Sequence, residues 1–382
     1  MAERYLHFEV TFDQRAKRGH QACGDAASVM RTDTETTVIL CDGVGSGTAA
    51  HVAARMCLAR LERLLSEGFS LREAFLCMAA SMEQWKQPGK PYAAFTVAQI
   101  RGDGHAAIMG FEAPPAIWVT SRQAQTLPQR MFMHEGVSGG ESNCYLRSGE
   151  GLLLMTDGVT QAGLETLPGG WRSDGVAEYV SSLLLKRNAA DLPRQIQEKA
   201  AGLNNGIDYD DTTVASVQCR PGRTMSLLTG PPAERLMDMA VVERFMAMPG
   251  PKVVCGATTS AIVARVLGRT VQIEKEPTSL IAPPKYLLDG VDLVTEGAVT
   301  LNQLNNVLEL DAESFYEISA VTELYDLLAA ADRVHLFVGA GKNPANDDAC
   351  FVQRGVLSRQ AIIPLIARKL RRQGKCVVIE SV

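Results

Sequence analysis

Short apolar runs that stop at glycine, aspartate or proline recur through the first 219 residues, and two periods run through them. Residues 37–41 (Thr-Val-Ile-Leu-Cys) are continuous in this sense and close on Asp-Gly, which predicts a buried strand. Residues 151–156 (Gly-Leu-Leu-Leu-Met-Thr) have the same form and close on a second Asp-Gly. Further strands are predicted at 8–12, 95–100, 106–111, 117–120 and 213–219. In residues 47–65 the apolar positions Ala54, Leu58, Leu61 and Leu65 recur at helical spacing and share one face. Residues 71–85, 176–186 and 192–203 predict three more helices. Residues 220–232, with Arg-Pro-Gly and Gly-Pro-Pro, read as a linker. Beyond it strand and helix alternate. Strands are predicted at 251–255, 270–274, 293–295, 333–338 and 375–380, and helices from 256 to 267 and at 357–373, where Pro364 predicts a kink. That alternation predicts a parallel α/β domain. The expected division is a first domain at 1–222 and a smaller α/β domain at 233–382.

The length of 382 residues suits two domains, since one typically takes about 150 residues. A formal net charge of −5 leaves no basic footprint for nucleic acid. No apolar run reaches the ~18 residues of a membrane helix, and the N-terminal residues lack a signal-peptide hydrophobic region. A soluble, cytoplasmic chain is therefore expected. The nine cysteines are odd in number, widely spaced and free of Cys-x-x-Cys, which argues against a disulfide framework or zinc ribbon. Most read as small core residues.

Aspartates near strand ends change the picture. Asp42 (Cys-Asp-Gly-Val-Gly-Ser-Gly) and Asp157 (Thr-Asp-Gly-Val) directly follow buried strands, while Asp25 (Gly-Asp-Ala), Asp210 and Asp211 (Asp-Asp-Thr-Thr-Val) lead into strands. Such an arrangement can bring carboxylates from distant segments to one edge of a pair of sheets. Clustered carboxylates resist ionising together, and a divalent cation with a taste for oxygen ligands removes that penalty. Glycine after Asp42 and Asp157 leaves a main-chain carbonyl free to turn toward a metal. A single Asp-Gly is ordinary turn chemistry; the whole ordered set is not.

This set resembles the metal-dependent type 2C (PPM) protein phosphatases, and most of all their bacterial SpoIIE-like branch, over residues 5–219. The matching segments are Gly24-Asp25, the run from Asp42 to Ala50, Gly110-Phe111-Glu112-Ala113-Pro114-Pro115, Thr156-Asp157-Gly158 and Asp210-Asp211-Thr212-Thr213-Val214. The resemblance implies an α+β fold, an α-β-β-α sandwich of two antiparallel sheets. It implies a serine/threonine protein phosphatase with two Mn²⁺ or Mg²⁺ ions. Asp42 would bridge the ions, the Gly43 carbonyl would bind one, Asp157 and Asp210 would ligate the pair, and Asp25 would hold water on them. The implied chemistry is in-line attack of an activated water on phosphoserine or phosphothreonine. By family analogy the substrate is a phosphorylated protein in bacterial signalling, such as a STAS-type anti-sigma antagonist. Many eukaryotic members carry a histidine two residues after the bridging aspartate, where this chain has Val44. His51 is a candidate substitute, although a lone helical histidine is more often structural. Arg15, Lys17 and Arg18 are candidate phosphate contacts, or simply a solvated face. Residues 121–150 read as a variable surface segment or as packing.

In the second domain, Val253 to Ser260 reads as strand, glycine turn and helix start. Gly256, Thr258 and Thr259 are there candidate anion-binding residues, or a structural helix cap. Together with Asp289 to Gly297, this segment resembles the sugar-phosphate-binding domains of the ribose-5-phosphate isomerase and DeoR sensor type. Residues 339–343 form another strand-end loop. The domain is expected to be regulatory, ligand-sensing or docking. Two alternatives stay open: a catalytically silent metal-binding scaffold with a sugar-phosphate or nucleotide sensor, and sugar-phosphate isomerisation by the second domain alone.

Overall fold

The computed structural model describes residues 5–45, 47–87, 90, 92–186, 190–273, 285–310, 319–341 and 356–382. It divides into two compact units. One is Leu6–Met30 with Thr34–Pro221; the other is Gly222–Val382 with Tyr5 and Arg31–Asp33. Among the described residues no helix is long and apolar enough to cross a membrane.

The first unit is built on strands that are apolar on both faces. In β3 (Glu35–Gly43), Val38 and Leu40 pack between two sheets with residues such as Leu152, Leu154 and Val217. Ile39 and Cys41, on the opposite face, pack against the helices α1 (Thr48–Ser66) and α2 (Leu71–Trp85). β10 (Gly151–Met155) repeats the pattern: Leu153 and Met155 meet α4 (Arg172–Leu185) and α5 (Leu192–Leu203). A strand covered by a sheet on one side and helices on the other has no solvated face, which is why the runs at 37–41 and 151–156 do not alternate.

One sheet has the order β1 (Leu6–Arg15), β11 (Thr212–Pro221), β10, β6 (Ile117–Val119), β7 (Ala124–Thr126), antiparallel throughout. The other has the order β2 (Asp25–Arg31), β3, β4 (Ala93–Arg101), β5 (His105–Phe111), β9 (Val137–Tyr145), β8 (Arg130–His134), antiparallel from β3 onward. Helices cover both outer faces, giving the expected α-β-β-α sandwich. α2 matches its sequence reading to the residue. A capping box starts it: Glu73 N–H donates to Ser70 Oγ, and Glu73 Oε2 accepts from Ser70 N–H.

Strands β2, β7, β8 and β9 were not expected, and the last three fall in the supposed surface segment at 121–150. β9 hides behind its own composition, Val-Ser-Gly-Gly-Glu-Ser-Asn-Cys-Tyr. Its glycines are set by packing, because a Cβ at Gly139 would sit 2.7–2.8 Å from the rings of Phe132 and Phe75.

The second unit is a seven-stranded sheet in the order β14 (Gln272–Ile273), β15 (Lys285–Leu288), β16 (Val291–Thr295), β13 (Lys252–Cys255), β12 (Thr224–Thr229), β17 (Arg333–Val338), β18 (Cys376–Ser381). The strands from β16 to β18 run parallel, and β14 and β15 form an antiparallel edge. α6 (Asp238–Ala247) and α7 (Ala257–Leu267) cover one face; α8 (Ala298–Val307), α9 (Ala320–Ala330) and α10 (Arg359–Arg372) cover the other. β12 corrects the sequence reading. It lies inside the supposed linker at 220–232 and is buried along its whole length between β13 and β17. Arg-Pro-Gly and Gly-Pro-Pro bound this strand and do not form a tether. The predicted strand at 270–274 shrinks to β14, Glu274 lying outside the described residues, and α10 continues through Pro364.

Phe95 is 1% exposed, with its ring 5.3 Å from Phe75 and 5.5 Å from Phe111. Phe95→Ala should destabilise the first unit by about 3–5 kcal/mol, measured as a lower urea midpoint for its unfolding transition.

Candidate active site

Antiparallel pairing puts the end of one strand beside the start of the next, and this gathers the aspartates. Asp42 is the penultimate residue of β3, and Asp157 opens the short helix α3 (Asp157–Thr160) directly after β10. Asp210 and Asp211 precede β11, whose Val214 pairs with Met155 of β10. Asp25 opens β2.

Asp25 is 3% exposed and anchors the group. Its Oδ2 accepts from Thr156 Oγ1 at 2.9 Å and from Thr213 Oγ1 at 2.7 Å. Thr156 Oγ1 also accepts from Thr213 N–H at 2.9 Å, so β2, β10 and β11 are joined through one carboxylate and two hydroxyls. Asp25 Oδ1 is buried and has no partner among the described residues. Asp211, also buried, takes Lys17 N–H on Oδ1 at 3.0 Å. Asp157 Oδ2 accepts from Gln161 Nε2 at 2.7 Å. A cavity of about 10 Å³, lined by Asp42, Asp157, Thr96 and Pro114 among others, has room for about one water.

The electrostatics follow from burying like charges together. Asp42 is pushed up to about 10, first by burial, then by the charge of Asp25 and by a hydrogen bond with Asp157. Asp25 is pushed up to about 7 by burial and, more weakly, by Asp211 and Asp210, against the pull of its two hydroxyl donors. Burial and Asp157 also raise Asp210, while its neighbour's amide and Lys17 pull it down.

The glycines after both aspartates also answer a packing demand that the sequence did not show. A Cβ at Gly43 would sit 2.0 Å from the Ala50 carbonyl oxygen, and one at Gly158 would sit 2.3 Å from that of Asp211. Both are glycine because a neighbouring backbone passes against them. His51 places Nδ1 at 2.8 Å from the Cys23 carbonyl, where it holds the turn into Gly24-Asp25. Arg15 lies 3.6 Å from Asp13, and Arg18 donates its N–H to Asp208 O; of the three early cations, Lys17 is the one whose charge is felt at Asp210. Val44 is exposed, and Ser46 lies outside the described residues. Thr156, Thr213 and Gln161 were missed as supporting residues. The first two stood inside the quoted motifs, where a threonine at a strand end carries no signal of its own.

The donor set fits a hard divalent cation on chemistry: several carboxylates, one with an orphaned buried oxygen, and a mutual repulsion that a cation would relieve. As placed, the carboxylates form pairs, and among the described residues no three His, Cys, Asp or Glu side chains stand ready as a ligand group.

The model of the Stage II sporulation protein E (SpoIIE) family matches residues 32–220. This segment is a SpoIIE-family domain. No curated protein gives a significant match to the sequence. Among solved structures, the chain is similar to the PP2C phosphatase domain and regulatory fragment of SpoIIE from Bacillus subtilis, at 16% identity and TM-score 0.49, over 57% of this chain and 65% of that one. It is also similar to the RsbU and RsbW domains of a Mycobacterium tuberculosis protein, at 19% identity and TM-score 0.48, over 63% and 68%. A third is the serine/threonine phosphatase of S. agalactiae, at 16% identity and TM-score 0.41, over 56% and 99%. The chain thus spans a little under two thirds of the first of these.

The raised carboxyls of the SpoIIE-family domain set a sign for its pH dependence. The folded, metal-free domain keeps protons that the unfolded chain gives up near pH 4, so its stability falls as pH rises from there through about 7 and on toward 10. In EDTA, the melting temperature should drop between pH 5.5 and pH 8, and Asp42→Asn should flatten that drop. Scanning calorimetry across the two pH values checks both.

Proposed function

We propose that the SpoIIE-family domain hydrolyses phosphoserine or phosphothreonine esters on a protein. The single observation that carries this is the convergence of Asp25, buried, and Asp42, Asp157 and Asp210, partly buried, at one edge of the sandwich, with Asp42 and Asp25 pushed up first by burial and then by neighbouring carboxylates. Asp42, the Gly43 carbonyl, Asp157 and Asp210 would hold a pair of Mn²⁺ or Mg²⁺ ions, with Asp25 beside them. When bound, the ions would supply an activated water near neutral pH and offset charge on the phosphoryl oxygens.

The protein's own groups prepare the site. Thr156 and Thr213 fix Asp25 through one oxygen and leave the other for ligation or water. Lys17, held at the site by its backbone bond to Asp211, is the cation best placed to meet a substrate phosphate. His51 acts as a positioning residue through the Cys23 carbonyl. With Val44 in the position of the eukaryotic histidine, the leaving serine or threonine oxygen takes its proton from solvent. From the family resemblance we further propose a phosphorylated STAS-type anti-sigma antagonist as substrate, a cytoplasmic setting, and a regulatory role for the α/β unit.

Phosphate release from a phosphoserine peptide tests the reading. The wild type should release phosphate with Mn²⁺ and not with EDTA. Asp42→Ala and Asp157→Ala should each lower the rate at least a hundredfold while the fold stays intact by circular dichroism. A metal-loaded, folded wild type without turnover would support the scaffold alternative.

A further inference from the structure

In parallel order the second unit's strands run β16-β13-β12-β17-β18, a doubly wound sheet whose winding reverses beside β12. Ligands of such sheets sit outside the C-terminal strand ends near that reversal. The ends of β12, β13 and β16 here open on a cleft of about 250 Å³, lined by Gly230, Gly256, Thr258, Gly297 and Arg359 among others.

Two helices begin in this cleft. α7 starts after Gly256 (φ +116°) and α8 after Gly297, and neither has a side-chain cap. Their first-turn amides therefore lack the partner that a capping side chain would supply. The two turns lie together: a Cβ on Gly297 would come 3.4 Å from Gly256 Cα. Thr259, 2% exposed, accepts Gly230 N–H on Oγ1 at 2.8 Å, which ties the end of β12 to α7. That bond makes Thr259 a brace for the cleft, whereas Thr258 is exposed and lines it.

An independent feature points to an anion. Arg359, the first residue of α10, is only 9% exposed. Its guanidinium lies flat on Gly230, where a Cβ would fall 1.9 Å from Nη1. Nη2 donates to the Gly341 carbonyl at 2.9 Å, but Nε is buried without a partner among the described residues. A buried guanidinium with a spare donor is costly unless an anion meets it. Burial pulls its pKa down, and among the described residues no carboxylate offsets this. Glu296 also lines the cleft; its Oε1 accepts from Tyr286 Oη at 2.8 Å. It is an acceptor suited to hydroxyl groups and not to phosphate.

We infer that this cleft binds a small phosphorylated, hydroxyl-bearing molecule. Its phosphate sits between the first turns of α7 and α8 and Arg359 Nε, and its hydroxyls reach Glu296. A cleft of this size is below the usual ~300–1,000 Å³ of drug-sized sites, which favours a single sugar phosphate or mononucleotide over a dinucleotide.

The test is isothermal titration of the full chain with inorganic phosphate, glucose 6-phosphate and AMP. EDTA is present throughout, so that the acidic site of the first unit holds no ion to attract phosphate. Thr258→Glu puts a carboxylate at an exposed first-turn position, where it supports the helix and repels the ligand; Arg359→Gln removes the guanidinium. At least one of the two organic phosphates should bind more tightly than inorganic phosphate. Thr258→Glu, with an unchanged melting temperature, should weaken that binding at least tenfold, as should Arg359→Gln if it folds. No binding by either organic phosphate, or binding that Thr258→Glu leaves unchanged, would overturn the inference.

Discussion

Carboxylates held within reach of one another, one buried and the others partly so, resist being charged together without a cation. That constraint organises the first unit. Asp25, Asp42, Asp157 and Asp210 come from four separate chain segments, and burial and mutual repulsion hold Asp42 and Asp25 far above the ordinary carboxylate range. The fold has to force this meeting, since nothing in the group itself is attractive. It does so with about the cheapest means available: two antiparallel sheets whose strand ends coincide, joined there by the hydroxyls of Thr156 and Thr213 on a single carboxylate.

The sandwich core keeps those ends in register. β3 and β10 are apolar on both faces because each is pressed between the facing sheet and a helical layer. Sliding either strand by one residue would swap its two apolar faces and carry Asp42 or Asp157 away from the others. The glycines after both aspartates serve the same end. Ala50 O and Asp211 O pass where a Cβ would be, so α1 and the approach to β11 pack against the site without a gap. Stability and site geometry thus rest on the same contacts.

Much of this was legible in the residues, for identifiable reasons. The aspartates stood out because each sits in a fixed local context, after a buried strand or before one. The runs at 37–41 and 151–156 were legible because burial on both faces leaves a continuous apolar stretch. β9 was not, since aromatic packing against Gly139 removes the side chains that would have marked it as a strand. β12 was hidden by the proline and glycine turns that flank it, and the sheet it completes shows only in three dimensions. The hydroxyls on Asp25 were invisible for another reason: threonine in a strand is ordinary, and only the pairing of β10 with β11 gives these two a partner. Arg359 was missed because its close approach to Gly230, in a distant segment of the sequence, shows only in the fold.

The central claim is that the acidic group of the SpoIIE-family domain stores protons in the absence of metal and exchanges them for divalent cations. Calorimetric titration of Mn²⁺ into the metal-free protein at pH 7, repeated in two buffers of different ionisation enthalpy, measures that exchange directly. The account predicts that Mn²⁺ binds with net release of protons, and that Asp42→Ala removes both the binding and the release. Binding of Mn²⁺ with no proton release, or no binding at all to a folded protein, would contradict it.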